Sequence, residues 1–246
     1  MKKFLFVVAI VSIFLTGCSM NSNVNDGEEN VKLVFPNNNE NQNETQEPLV
    51  VKLFEEGEYK LPKINIDSED ARNVNKHFEE VKNQILSQKN FDSDNSGEWD
   101  NWYESAKYKA TENKDILSIV VKYNKGYIAS FTEYDVYNFD LKTKKLLTTT
   151  ELNKKLNHSD EAFNARLGFT YERNVSKEEK DSIDSTVGFD GIEKTYDESI
   201  AEFKKTKIDD WKTYIDYDGT YHIFLKKLAT AGAMGAEYLE DVCLWW

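Results

Sequence analysis

Two β-rich runs joined by a turn signal dominate the middle of the chain and constrain its fold more than any other stretch. Ile116 to Tyr123 is rich in β-branched and apolar residues, Asn124-Lys125-Gly126 signals a turn, and Tyr127 to Asp140 alternates β-formers with polar residues. Such a pattern predicts a hairpin of at least two long strands. Successive side chains of a strand point to opposite sides. Ile128, Ser130, Thr132, Tyr134, Val136 and Asn138 therefore share one face. Tyr127, Ala129, Phe131, Glu133, Asp135, Tyr137 and Phe139 share the other. Neither face is cleanly apolar, so packing is expected over both.

Around this hairpin, Asp67 to Ser87 is the clearest helix. Asp67 is the expected cap, Glu69 and Asp70 suit the positive helix end, and Val74, Phe78, Val81 and Ile85 form a stripe to lay on a sheet. Before it, Tyr59 to Ile66 reads as an extended strand that Pro62 should push towards a sheet edge. After the hairpin, helices are expected over Thr150–Leu156, Asp160–Arg173 (capped by Ser159) and Tyr196–Lys207. A second hairpin follows, Trp211–Ile215 and Tyr221–Lys226 about the Asp216-Tyr217-Asp218-Gly219 turn, with a last strand over Tyr238–Trp245. Ala229 to Ala236 lacks the ending of a phosphate loop and reads as a tight connection. The order predicts an α+β domain: an antiparallel sheet built from hairpins, with helices packed on it.

The first residues carry a different message. Lys2 and Lys3 precede an apolar run of twelve residues, Phe4 to Leu15. That is too short for a membrane span, which needs about 20 residues, but it fits the core of a signal peptide. Leu15-Thr16-Gly17-Cys18 then resembles the lipobox of bacterial lipoproteins. The resemblance implies cleavage before Cys18, acylation of its thiol, and a mature protein held on the outer face of the membrane. Two or more acyl chains anchor firmly where one binds only marginally. Between Asn21 and Asn43 asparagine occurs nine times among carboxylates. Such a composition does not offset the entropy of ordering. The expected organisation is a signal peptide over 1–17, a flexible tether over 18–50, and one extracytoplasmic domain over 51–246.

Charge and cysteine usage narrow the function classes. The formal charge is −13, and loss of Lys2 and Lys3 with the signal would make it −15. That argues against nucleic acid and against an electrostatic hold on anionic polymers, and it favours cationic partners. With Cys18 acylated, Cys243 is the remaining cysteine, so no internal disulfide is expected. Cys243 lies in an apolar, strand-like run and is expected to be a buried core thiol.

Asp92-Ser93-Asp94-Asn95-Ser96-Gly97-Glu98-Trp99-Asp100 has the alternating oxygens and the glycine of a calcium loop's first half. Asp92, Asp94, Ser96 and Asp100 would serve as ligands. The twelfth position, where a bidentate carboxylate is needed, is Tyr103. Calcium binding is therefore expected to be weak or absent, the segment then being a polar turn.

A longer set of residues carries a family resemblance. Leu61-Pro62-Lys63-Ile64-Asn65, Asn75, Asp115 to Ile119, Asn138-Phe139-Asp140-Leu141-Lys142-Thr143-Lys144-Lys145-Leu146, Tyr217-Asp218-Gly219 and Ala231-Gly232-Ala233 occur in this order. Together, over about residues 55 to 244, they resemble a domain of unknown function found outside the membrane in Gram-positive bacteria. That domain forms the outer part of sigma-V-type, lysozyme-sensing anti-sigma factors and precedes the catalytic domain of some peptidoglycan deacetylases. The chain departs from the pattern at Lys125 to Ser130, where the family commonly has a glycine-rich, histidine-containing segment. It also shows a lipobox where those anti-sigma factors carry a membrane-spanning helix.

His77, His158 and His222 are scattered without metal spacing, and no nucleophile elbow is present. No enzyme activity and no cofactor are therefore expected. The reading is a lipid-anchored binding module whose ligand is a cell-wall component or a cationic, wall-directed protein such as lysozyme. Two alternatives stand beside it: an enzyme acting on peptidoglycan through a carboxylate pair, and a structural envelope lipoprotein.

Overall fold

A computed structural model describes residues 47–89, 102–126, 131–174, 180–181, 184–185, 195–203, 205–227 and 238–244. In chain order the elements are β1 (Val50–Glu56), β2 (Tyr59–Ile64), α1 (Glu69–Lys89), β3 (Tyr103–Asn113), β4 (Ile116–Lys125), β5 (Phe131–Asp140) and β6 (Lys145–Leu147). Then follow α2 (Thr149–Lys155), α3 (Asp160–Asn174), α4 (Tyr196–Phe203), a 3-10 turn (Ile208–Asp210), β7 (Thr213–Ile215), β8 (Tyr221–Lys227) and β9 (Tyr238–Leu244). Strands β1 to β6 form one sheet in sequence order, and β7 to β9 form a second. The architecture is α+β.

The central hairpin forms as the alternation requires, with Ile116 opposite Asp140 and Lys125 opposite Phe131. Its two faces are covered by different means. On one, α1 lays Val74, Phe78, Val81 and Ile85 against Leu61, Leu117, Ile119, Val121 and Phe139. Phe78 and Ile85 are fully buried, and each such side chain contributes about 1.5–3 kcal/mol by leaving water. Ser68, not Asp67, caps α1: its Oγ accepts the Ala71 N–H at 3.1 Å. Asp67 instead faces Arg72 at 3.0 Å. One residue of displacement places the hydroxyl, rather than the carboxylate, under the first free N–H groups.

The other face carries a row of buried polar side chains, Thr111, Ser118 and Asn138, and strand β7 stands edge-on above it. The Ile215 N–H donates to Ser118 Oγ (3.1 Å), whose hydroxyl donates to Asn138 Oδ1 (2.7 Å). The Asn138 amide in turn donates to the Thr213 carbonyl (2.7 Å). Thr111 Oγ1 donates to the Ile215 carbonyl at 2.6 Å. Three backbone groups on the free edge of β7, which would otherwise be buried unpaired, are thus matched by side chains. With β7 so fixed, one side of the second sheet packs Ile215, Tyr221, Ile223 and Leu225 on Leu152, Phe163 and Leu167 of α2 and α3. The other side packs Tyr214 and Phe224 on Val120, Tyr134 and Val136.

Several expectations are corrected. Pro62 does not lie on an edge, because β1, which the sequence reading passed over, pairs with β2 along its length. The proline is accommodated at an irregularity between Lys52 and Phe54. On its other side β2 meets β3 through one parallel pair, Tyr59 with Ala106. Beyond that pair, Asn75 of α1 closes the ladder: its Oδ1 accepts the Ile64 N–H at 2.8 Å and its Nδ2 donates to the Ile64 carbonyl at 2.9 Å. The fourth helix stops at Phe203 rather than Lys207. Strand β6 was also not anticipated. Strand β1 opens at Val50, and Leu49 packs on the core.

Candidate functional site

The block most characteristic of the resemblance turns out to have structural work at every position. Asn138 holds β7, and Phe139 is fully buried under α1. Asp140 Oδ1 accepts the N–H groups of Lys142 (2.8 Å) and Thr143 (3.1 Å), shaping the turn into β6, while its Oδ2 pairs with Lys155 at 2.9 Å. Burial works against the Asp140 charge, but Lys155 and the two N–H groups outweigh it and hold the carboxyl below its usual value. Leu141 packs on the core, and Lys144 supplies the left-handed residue of the turn (φ 59°). Asn75 clasps β2 in the same manner.

Chemistry-bearing side chains gather elsewhere, in two places. The first is the outer side of the second sheet. Strand pairing sets Tyr214 beside His222, and His222 beside Cys243. His222 Nδ1 lies 2.9 Å from Asp241 Oδ1, and its Nε2 lies 3.8 Å from Asp216 Oδ2. Asp216 also receives Lys109 of β3 at 2.7 Å, and Asp241 receives the Tyr214 hydroxyl at 2.6 Å. The Tyr214 ring stacks on His222 with centroids 4.5 Å apart. Burial, then the Asp241 charge, pushes the Tyr214 hydroxyl far up, so it remains a donor. The imidazole occupies the space between the two carboxylates, Lys109 sets a cation against Asp216, and the Tyr214 hydroxyl donates to Asp241. The cluster ties β3, β7, β8 and β9 together. Cys243 is half-buried rather than a core thiol. It lies on this polar side of β9, whereas Leu244 faces the apolar core.

The second gathering lies under the far end of α1. Lys125 Nζ sits 4.6 Å from the Tyr103 ring centre and 5.8 Å from that of Tyr123, and pairs with Glu133 at 2.7 Å. Burial alone would lower its pKa, but Glu133 and Tyr103 raise it. Asp135 faces His77 Nε2 at 3.0 Å. Tyr123, 2% exposed, brings its hydroxyl beside the same carboxylate without a formed hydrogen bond. His158 stands apart from both clusters, packed edge-on to Tyr221, and burial lowers its pKa. The three histidines thus serve three places. Among the described residues, no three His, Cys, Asp or Glu side chains come together as a metal site would require.

Cys18 and the loop residues Asp92, Asp94, Ser96 and Asp100 lie outside the described residues. So do Tyr127 to Ser130 and the small-residue run Ala229 to Ala236. Both clusters were missed by sequence reasoning, since each is assembled across strands whose register the sequence does not announce.

Charge and exposure describe the remaining surface. Residues 1–50 hold three lysines and six carboxylates, so −10 of the −13 falls in residues 51–246. Tyr217 is 67% exposed and sits on the β7–β8 turn between Asp216 and Asp218. Asp218 Oδ1 accepts the Thr220 N–H at 2.8 Å, and the Thr220 hydroxyl and then this N–H lower the Asp218 pKa. Gly219 takes φ +87°, where a side chain would be strained. The turn therefore presents an aromatic ring flanked by acid on a fixed backbone. No family model and no curated protein matches the chain.

Proposed function

We propose that this protein is a lipid-anchored, extracytoplasmic binding module that takes a cationic, wall-directed protein of the lysozyme kind. The observation that carries the reading is the excess of ten carboxylates within residues 51–246, together with the exposed Tyr217 on its acidic turn. Long-range attraction between such a surface and a basic partner raises the association rate, and aromatic rings are frequent anchors of contact. The lipobox at Leu15 to Cys18 supplies the location, and the resemblance to the outer domain of lysozyme-sensing anti-sigma factors supports the partner class. Carboxylate-pair catalysis gains nothing from Asp216 and Asp241, because His222 lies between them.

The test is surface plasmon resonance of the full-length protein in zwitterionic lipid discs against lysozyme, at several ionic strengths. A non-binding acidic protein of equal charge is the control. The association rate should fall as the Debye length shrinks from about 30 Å at 0.01 M salt to about 8 Å at 0.15 M. Binding should persist at physiological salt, and Tyr217→Ala should weaken it several-fold. Cys18→Ala should leave the protein outside the membrane fraction. Binding no better than the control at physiological salt would sink the partner assignment, and membrane retention of Cys18→Ala would sink the anchor.

A further inference from the structure

The asparagine-rich stretch between Asn21 and Asn43 is interrupted by one apolar run, Val31-Lys32-Leu33-Val34-Phe35. It holds two β-branched residues, a leucine and a phenylalanine, which is the composition of a short strand. Its first three residues are those of β1 over again: Val31-Lys32-Leu33 repeats Val51-Lys52-Leu53, and each run reaches a phenylalanine within two further residues. The run lies outside the described residues.

The six-stranded sheet has a place for such a run. Strands β1 to β6 lie in sequence order, each beside its neighbour in the chain. A strand preceding β1 falls by the same order on the outer edge of β1, where no strand lies among the described residues. The Asn65 N–H donates to the Leu49 carbonyl at 2.8 Å, so Leu49 turns its backbone towards β2. By the alternation of an antiparallel ladder, Val50 and Lys52 turn theirs outward. Over Val50 to Phe54 this edge carries one charge, Lys52, while Val51, Leu53 and Phe54 are half-buried. Sheet edges are commonly blunted with charge, because an apolar edge invites another strand.

Chain length and charge favour an occupant from the same molecule. Residues 36–49 separate Phe35 from Val50, ample chain for a return, and the entropy of closing a loop grows only slowly with its length. With Lys32 opposite Glu55, an antiparallel register sets Leu33 opposite Phe54 and Val34 opposite Leu53. A cation then meets a carboxylate that already draws Lys52 and Lys60, and apolar side chains meet apolar ones. We propose that Val31 to Phe35 docks in this register on the outer edge of β1, as a further strand of the sheet. The docking itself does not depend on the partner or on the anchor. On the reading that Cys18 is acylated, it leaves residues 19–30 rather than 19–49 as free chain. The fully extended reach of the anchor then falls from about 100 Å to about 40 Å.

The test is hydrogen exchange of the full-length protein in detergent micelles, followed in peptides spanning 31–35 and 50–54. Both segments should exchange at least tenfold more slowly in the wild type than in the double variant Leu33→Asp/Val34→Asp. Asn37→Asp/Asn38→Asp, the same added charge in the intervening chain, should behave as the wild type does. Lys32→Glu should lose protection several-fold, and Lys32→Glu combined with Glu55→Lys should regain it. Unchanged exchange in α1 checks that each variant keeps its fold. Cys18→Ala should leave the protection as it is, so failure of the anchor and failure of the strand are read separately. Rapid exchange of 31–35 in the wild type, equal loss in the Asn37/Asn38 control, or no recovery in the charge-exchanged pair would overturn the proposal. Protection that disappears on dilution would also overturn it, since the occupant would then be a second copy.

Discussion

The two faces of the six-stranded sheet are held by opposite kinds of interaction. Under α1 the contact is apolar, a stripe of Val74, Phe78, Val81 and Ile85 on Leu117, Ile119, Val121 and Phe139. Under the second sheet it is a set of matched hydrogen bonds between Thr111, Ser118 and Asn138 and the backbone of β7. Apolar contact is non-directional and scales with area, so it tolerates small sliding. Buried hydrogen bonds add modest net stability, but leaving one unmade costs the full desolvation of its partners. The first face therefore supplies stability, and the second specifies where three more strands sit.

That contrast can be broken most strongly from the apolar side. Phe78→Ala removes a fully buried ring and should cost about 3–5 kcal/mol in chemical denaturation, with all parts of the domain losing stability together. A smaller effect with a different signature is expected from Asn138→Ala. It orphans the Ser118 hydroxyl and the Thr213 carbonyl and should cost about 2–3 kcal/mol. Hydrogen exchange should then accelerate in β7 to β9 more than in α1. Uniform acceleration would show that the second sheet has no stability of its own to lose, and would break the division of labour.

The smallest effect concerns Asp140, at the rim shared by both faces. Its pKa is lowered in the fold, so its contribution is fully present above the unfolded value near about 3.9 and is lost as pH falls through the lower folded value. Asp140→Asn should cost about 1 kcal/mol at neutral pH, since water screens part of the charge at this rim. Melting curves of wild type and variant should converge below about pH 4. Convergence at higher pH would show that the Lys155 pair is not what holds the turn.

The legibility of the sequence follows the same division. The helix stripe and the long hairpin were readable because period and burial coincide over many residues, and the mixed character of both hairpin faces correctly announced a second cover. Strand β1 was overlooked because Val50 to Glu56 is short and follows a stretch rich in asparagine and carboxylates. The role of Asn138 was unreadable for a physical reason: a polar residue on a strand face reads as solvent-facing until the strand that satisfies it is known. His222, Asp216 and Asp241 converge only through the pairing of β8 with its two neighbours. The motif residues Asn75 and Asn138 to Leu141 stood out in the sequence, but the structure uses Asn75, Asn138 and Asp140 to hold backbone and Phe139 and Leu141 to fill the core.

The clasp between Asn75 and Ile64 has a mechanical consequence. The first strand of the sheet begins at Val50, which pairs with Ile64, at the open end of the β1–β2 hairpin. A pull on the backbone before Val50 would therefore load the hydrogen bonds of β1 one after another from Val50 towards Glu56, as a zip opens, rather than all at once in shear. Peeling would stop at β2, because Ile64 is gripped from its other side by a residue of the longest helix. The first strand would act as a tear-off strip, yielding under tension while the sheet behind it keeps its shape.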